Sequence, residues 1–430
     1  MHKVDGYPTD VKYPAFFYKE MQPVWLAAVH GILGFQAPAI EKPFRFCELG
    51  CGIGINLLVA AASHPQSHFV GVDFNAQHIA WARHAAQAAG LHNMEFIHSG
   101  FEAFAHSSQA PFDFMTSHGV WSWIAPQHQA SLLDGVKHLL HPQGVFYLHY
   151  MCHPGSTDLL TIQHMLHQFA PHVPGNSAQQ IQMGLKLLSQ LAARGAFHDK
   201  PQVLQHLQVL QRKDPQHLAH EFLTDHWQPQ HGVDLHQQLV QSGLHYVGSA
   251  DVFNNLDISL SIPAAMQPVV RQTQIPAMAE VLKDLARNSH QRMDLFQATP
   301  QPLQASAYRQ QLDALKFNML AHAPMQGPWR FETPIGPVEG PDAICTPLLQ
   351  QLARGPQSFA QLAHQAAFQG QEGVLLQTLQ LMMLQGWVHP TNPAASAALP
   401  AAQALSQWFK QQGIALQVMP DVGSARIQVA

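Results

Sequence analysis

Residues 48–54 read Glu48-Leu49-Gly50-Cys51-Gly52-Ile53-Gly54, between an apolar run at 44–49 and an Ala/Leu-rich stretch at 56–63. The run predicts a buried strand and the stretch a helix, so the three alternate glycines form the turn between them. Glycine lets the backbone turn sharply there and lets a ligand approach without a Cβ in the way. The next apolar run, 68–73, ends on Asp73. A carboxylate at the end of a second strand can accept hydrogen bonds from both hydroxyls of a ribose. Further along, 76–89 reads as a helix ended by Gly90, 94–98 and 112–117 as strands, 127–140 as a helix and 145–150 as a strand. Repeated strand–helix units with short connections predict an α/β fold with a parallel, doubly wound sheet.

The flanks read differently. Residues 1–43 open on an aromatic, proline-containing stretch, Tyr13-Pro14-Ala15-Phe16-Phe17-Tyr18, followed by a helix from Pro23 to Leu33. This segment is expected to cover the core, which spans 44–155. Residues 156–232 are rich in Gln, Leu and His and predict a helical insertion. A helix and two strands, 245–248 and 256–262, return the chain to the sheet within 233–264. Proline-broken helices then form a linker at 265–325. Residues 326–395 hold three helices and a short strand at 387–389, an order that suits a winged-helix-like module, and 396–430 form a tail.

Composition narrows the function classes. The chain has 430 residues, long enough for two or three domains at roughly 150 residues each. Only 11% of residues are charged, the net charge is -5, and 30 histidines outnumber the 22 lysines and arginines. So few cations give no electrostatic footprint for a nucleic acid. No apolar run reaches the roughly 18 residues that span a bilayer, so no membrane insertion is expected. Cys47, Cys51, Cys152 and Cys345 have neither disulfide-framework nor metal-site spacing. The expectation is a reduced, cytoplasmic protein without a metal.

A dinucleotide is the rival ligand for the glycine turn. Its fingerprint G-x-G-x-x-G needs glycine where this chain has Ile55, and Glu48 would repel a pyrophosphate. A cationic ligand suits Glu48 better. With these residues the chain resembles the bacterial class I methyltransferases that carry a methyltransferase regulatory domain, among them the rickettsial protein-lysine methyltransferases. The resemblance rests on residues 48–57, Phe69–Phe74 with His78 following, Phe112–Ile124 with its His118-Gly119-Val120-Trp121-Ser122-Trp123 stretch, and Tyr150 with Pro154-Gly155. Weaker echoes are His220–Leu223 and Tyr246–Asp251. The chain departs from the pattern at Met151 and Ser156, beside the expected substrate mouth.

The resemblance implies a Rossmann-like core that binds S-adenosylmethionine and leaves S-adenosylhomocysteine. It implies a cofactor site of Glu48, Gly50, Cys51, Gly52, Gly54, Asn56, Asp73, Phe74, His78, Gly100, Phe101, Ser117 and His118. His118, Trp121 and Trp123 are the catalytic candidates, the tryptophans holding an acceptor amine by cation–π contact. His118 either relays a proton or shapes the loop by a hydrogen bond. Tyr13, Tyr18, Trp121, Trp123 and Tyr150 are the substrate-binding candidates. The acceptor is a protein or peptide lysine, or a small molecule for which the extra domains form a lid or homodimer contacts; a donor-binding regulator without activity is a third reading.

Overall fold

The computed structural model describes residues 3–428. Its centre is a seven-stranded sheet formed by β1 (Arg45–Leu49), β2 (His68–Asp73), β3 (Met94–His98), β4 (Phe112–Ser117), β5 (Leu140–Met151), β6 (His245–Ser249) and β7 (Gln291–Gln297). The strands lie in the order β3-β2-β1-β4-β5-β7-β6. The first five are parallel, and β7 runs antiparallel between β5 and β6. Helices cover both faces, which is why β1 and β2 read as continuous apolar runs. Phe46, Phe69 and Phe114 pack on one face with the helix Ile55–Ser63. Cys47, Val70 and Met115, one residue on in each strand, pack on the other with the helix Pro126–Leu139.

Two elements differ from the sequence reading. Residues 256–262 are not a strand: Asp257 caps the short helix Ile258–Ser261, accepting the Ser259 amide at 2.8 Å. The last strand is β7, inside the stretch read as a helical linker. Its apolar alternation is hidden by Arg292 and Asp294, which are 2% and 0% exposed and paired at 2.9 Å. The expected tail is also ordered. Its Ala-rich start forms the helix Ala395–Gln411, consistent with the propensity of alanine, and buries Ala402, Leu405 and Phe409 in the same cluster as the helix Ile55–Ser63.

The insertion has its own small core. Helices Thr157–Phe169, Ser177–Ala192, Pro201–Leu210 and Pro215–Phe222 bring together Ile162, Leu166, Ile181, Leu207 and Phe222. Trp123, from the end of the sheet, joins that cluster and fastens the insertion beside the crevice. Beyond the sheet, a three-stranded antiparallel sheet of Lys316–Met319, Gln357–Ser358 and Val388–Pro390 packs with helices Asp342–Leu352, Phe359–Ala363 and Glu372–Leu384. Among the described residues no helix is long and apolar enough to cross a membrane.

Candidate active site

The glycine turn caps the carboxyl end of the sheet. Gly50, Gly52 and Gly54 all have positive φ (76°, 52° and 75°), where residues with a Cβ are strained. The Gly50 and Cys51 amides donate to the Val72 carbonyl at 2.8 and 3.0 Å, which ties the turn to β2. The three glycines serve different needs. A Cβ on Gly50 would lie 2.3 Å from Val120, and one on Gly54 2.6 Å from Phe96, so both permit close packing. A Cβ on Gly52 would meet nothing within 4 Å, and Gly52 lines the cavity. Only there does the missing side chain leave room for a ligand.

Two acids flank this turn. Asp73 accepts the Gly52 amide at 2.9 Å on one oxygen and the Asn75 amide at 2.8 Å on the other. A carboxylate has about four acceptor positions, so this fixes its orientation and leaves lone pairs for two hydroxyls. Asn75 in turn caps the next helix, accepting from the Gln77 and His78 amides. Glu48 is buried at the end of β1, and its Oε2 has no hydrogen-bond partner among the described residues. Burial, with the charge of Asp73 adding to it, raises its pKa to about 8. An orphaned acid oxygen in a cavity wall is costly unless a cation sits against it.

The wall beyond β4 is a column of rings. His118 stacks on Tyr18 at 3.8 Å between centroids and on His149 at 4.0 Å, and Trp123 lies parallel to His149 at 6.0 Å. Burial, then the neighbouring His149, holds His118 well below the ordinary imidazole range, and burial lowers His149 to about 4. Both are neutral at physiological pH. The Gly119 amide donates to His149 Nδ1 at 3.2 Å, so the His149 proton sits on Nε2, facing Gln291 Oε1 at 3.2 Å. His118 Nδ1 lies 2.7 Å from the Tyr147 hydroxyl, a contact that fixes the ring.

The roof comes from the opening segment. Lys3–Val4 pairs antiparallel with Tyr7–Pro8, and Lys3 is ion-paired to Asp225, which His167 also contacts at 2.8 Å. Tyr7 stacks on His220 at 5.4 Å and meets Phe74 edge-on at 6.0 Å; Tyr13 meets His220 edge-on at 5.1 Å. The Tyr18 amide donates to Asn56 Oδ1 at 2.8 Å, joining roof to glycine turn.

One cavity therefore gathers Tyr13, Tyr18, Glu48, Gly50, Cys51, Gly52, Asn56, Asp73, Phe74, His78, Gly100, Phe101, His118 and Trp123. Four expected residues lie off it. Gly54 packs under Phe96. Ser117 donates to the Leu49 carbonyl at 3.1 Å and joins β4 to β1. Trp121 is fully buried in the opposite face of the sheet, its indole N–H donating to Gln230. Tyr150 is fully buried too, donating to Asp294 at 2.7 Å. Side chains alternate along β5, so Tyr147 and His149 lie behind His118 while Tyr150 faces the other side of the sheet. Tyr7 and Phe16, which line the cavity, and His149, which backs His118, are residues the sequence did not single out. Tyr7 and Phe16 stood in the aromatic opening, and His149 is one alternation from Tyr147.

Residues 40–227 match a family model described as a methyltransferase domain, and residues 214–297 match one described as a predicted methyltransferase regulatory domain. The chain is a class I S-adenosylmethionine-dependent methyltransferase with a regulatory domain. The sheet order agrees, since β7 enters antiparallel where a dinucleotide fold runs 3-2-1-4-5-6. In fold the methyltransferase is similar to PKMT2 from Rickettsia typhi in complex with AdoHcy, with a TM-score of 0.69 at 20% identity over 88% of this chain and 77% of that one. An uncharacterised protein of Synechocystis is 27% identical over 90% of this chain and 76% of its own. Trans-aconitate 2-methyltransferase of Azoarcus is 28% identical over 35% of this chain and 53% of its own. The regulatory match includes β6 and β7, so this part of the methyltransferase completes the catalytic sheet.

Proposed function

We propose that this methyltransferase methylates the side-chain amine of lysine in a protein or peptide. The observation that carries the reading is the aromatic column of Tyr18, His118 and Trp123, backed by His149, on the wall of the cavity that holds the glycine turn. Flat apolar rings suit the alkyl stem of a lysine and attract its ammonium by cation–π contact. The likeness to PKMT2 supports the same reading.

The donor fits the residues present. Glu48, with its orphaned oxygen, would take a positive charge of the donor, Asp73 the ribose hydroxyls, and Phe74, His78, Gly100 and Phe101 the base. S-adenosylmethionine supplies an electrophilic methyl group on its sulfonium. This chain's contribution is to align the acceptor for in-line displacement and to exclude water. His118 shapes the column: an imidazole held well below its ordinary range is a poor proton acceptor for an amine. Loss of the amine proton is favoured instead by desolvation between the rings.

All four cysteines are free and buried, which fits a reducing cytoplasmic setting. The units at 156–232 and 316–390 would recognise the protein substrate, the latter as a winged-helix-like module.

Incubation with radiolabelled donor and a lysate of the host tests the acceptor. Label in protein, released as methyl-lysine on hydrolysis, is expected. A second reading, a small-molecule acceptor, is favoured by the roof of Tyr7 and Tyr13 over the cavity, and label confined to the small-molecule fraction would establish it.

A further inference from the structure

We propose that Tyr147 is a positioning residue: its hydroxyl fixes the His118 tautomer so that His118 offers an N–H to the cavity and holds the donor's carboxylate there. The inference rests on the donor placement above and accounts for that molecule's one negative charge.

Tyr147 lies on β5, fully buried in the apolar cluster that contains Phe46 and Phe114. Its hydroxyl lies 2.7 Å from His118 Nδ1 and has no other hydrogen-bond partner among the described residues. Burial moves the phenol well above its ordinary pKa, so it keeps its proton. A buried hydroxyl that only accepted would leave that proton unsatisfied, so Tyr147 donates and Nδ1 accepts. A neutral imidazole carries one N–H, which is therefore on Nε2. Tyr18 and His149, stacked on the ring at 3.8 and 4.0 Å between centroids, block the rotation that would exchange its edges. Nε2 has no partner among the described residues and is open to the cavity that His118 lines, unlike the sealed ring nitrogens of His30 and His220.

The strand register sets what this N–H can reach. Glu48 pairs with Thr116 between β1 and β4, so His118 leaves β4 two residues farther on, level with Gly50. Its loop abuts the glycine turn, since a Cβ on Gly50 would lie 2.3 Å from Val120. The amino-acid end of the donor bears its ammonium and its carboxylate on one carbon. A donor with its ammonium at Glu48 therefore brings the carboxylate to the same end of the cavity. No lysine or arginine is among the described residues that line it, whereas Asp5, Glu48 and Asp73 are. The carboxylate must then be met by neutral N–H and O–H groups. With the proton on Nε2, His118 supplies a charge-assisted hydrogen bond. With the proton on Nδ1 it would turn a lone pair toward the anion. Tyr147 thus decides, through one proton, whether this wall attracts the donor or repels it.

The test uses the full-length protein, its Y147F, H118F and H118Q variants, and two ligands measured by calorimetry. These are S-adenosylhomocysteine and its decarboxylated analogue, which keeps the nucleoside, the sulfur and the ammonium. Y147F should weaken S-adenosylhomocysteine binding about threefold to tenfold and H118F about tenfold or more. H118Q, which keeps an amide N–H, should recover part of the loss. All three should bind the analogue within about twofold of wild type, which also reports that they are folded. Nitrogen NMR of histidine-labelled protein, with His118 assigned from the signals lost in H118F, should show the wild-type proton on Nε2 and a mixture of tautomers in Y147F. A wild-type proton on Nδ1, or unchanged S-adenosylhomocysteine affinity in H118F, overturns the inference. Equal losses of both ligands in the variants do so too, because the pair then only maintains the fold. A wild type that binds neither ligand overturns the donor placement itself.

Discussion

Glu48 and Asp73 illustrate how two acids in one cavity acquire different tasks. Glu48, at about 8, is protonated in the free protein at pH 7, chiefly because it is buried. A cation placed against it lowers that pKa again. Donor binding at pH 7 should therefore release up to about one proton, read by calorimetry in buffers of different ionisation enthalpy. E48Q should bind without release, and buffer-independent heats in the wild type would refute the assignment. Asp73 is instead oriented by two backbone amides, at 2.9 and 2.8 Å. D73A loses two charge-assisted hydrogen bonds to the ribose, worth about 1.5–3 kcal/mol each, and should weaken S-adenosylhomocysteine binding by more than about a hundredfold. Unchanged affinity would place the ribose elsewhere. Both acids were legible in the sequence because each closes an apolar strand beside the glycine turn.

At the level of elements, the site is a floor and a roof that come from distant parts of the chain. The floor is the turn between β1 and its helix, a local structure dictated by glycine spacing. The roof is the opening segment, held by His220 beneath Tyr7 and Tyr13 and by the ion pair of Lys3 with Asp225. H220A removes the ring on which both tyrosines rest. It should speed S-adenosylhomocysteine release by about tenfold, because release requires the roof to lift. Stopped-flow displacement checks this, and an unchanged rate would mean that the roof does not gate the donor. The aromatic opening was visible in the sequence, but its partner was not. Nothing local in Pro215–Phe222 says that its histidines face Tyr7, Tyr13 and Phe16 across some two hundred residues of chain.

Across the whole molecule, the histidine excess has a consequence for stability. His30, His64, His149, His217, His220 and His389 are each lowered to about 4, with burial as the main cause. Each has a folded pKa below its unfolded value of about 6.5, so its contribution is full above that value and is lost as pH falls toward 4. Glu48 and Glu221 have the opposite sign, losing stability as pH rises through about 8 and about 7. Six groups against two decide the direction. Thermal stability should fall steeply between pH 6.5 and pH 4.5, faster than in a histidine-poor protein, by scanning calorimetry. A flat profile over that interval would show that these rings are not buried neutral. Composition revealed the number of histidines, and only packing revealed which of them are held without charge.

The residues near the glycine turn were sufficient to specify the parallel core, the donor class and most of the residues that the fold gathers around one cavity. Strand, turn and helix there are set by local apolar periodicity and by backbone conformations open only to glycine. Tertiary structure decided the rest. β7 was concealed because Arg292 and Asp294 satisfy one another inside the sheet, and a buried ion pair has the sequence pattern of an exposed one. Trp121 and Tyr150 point away from the cavity and His149 stacks behind His118 at its wall, because the exact register of a strand or loop end, not its residue types, assigns each side chain a face.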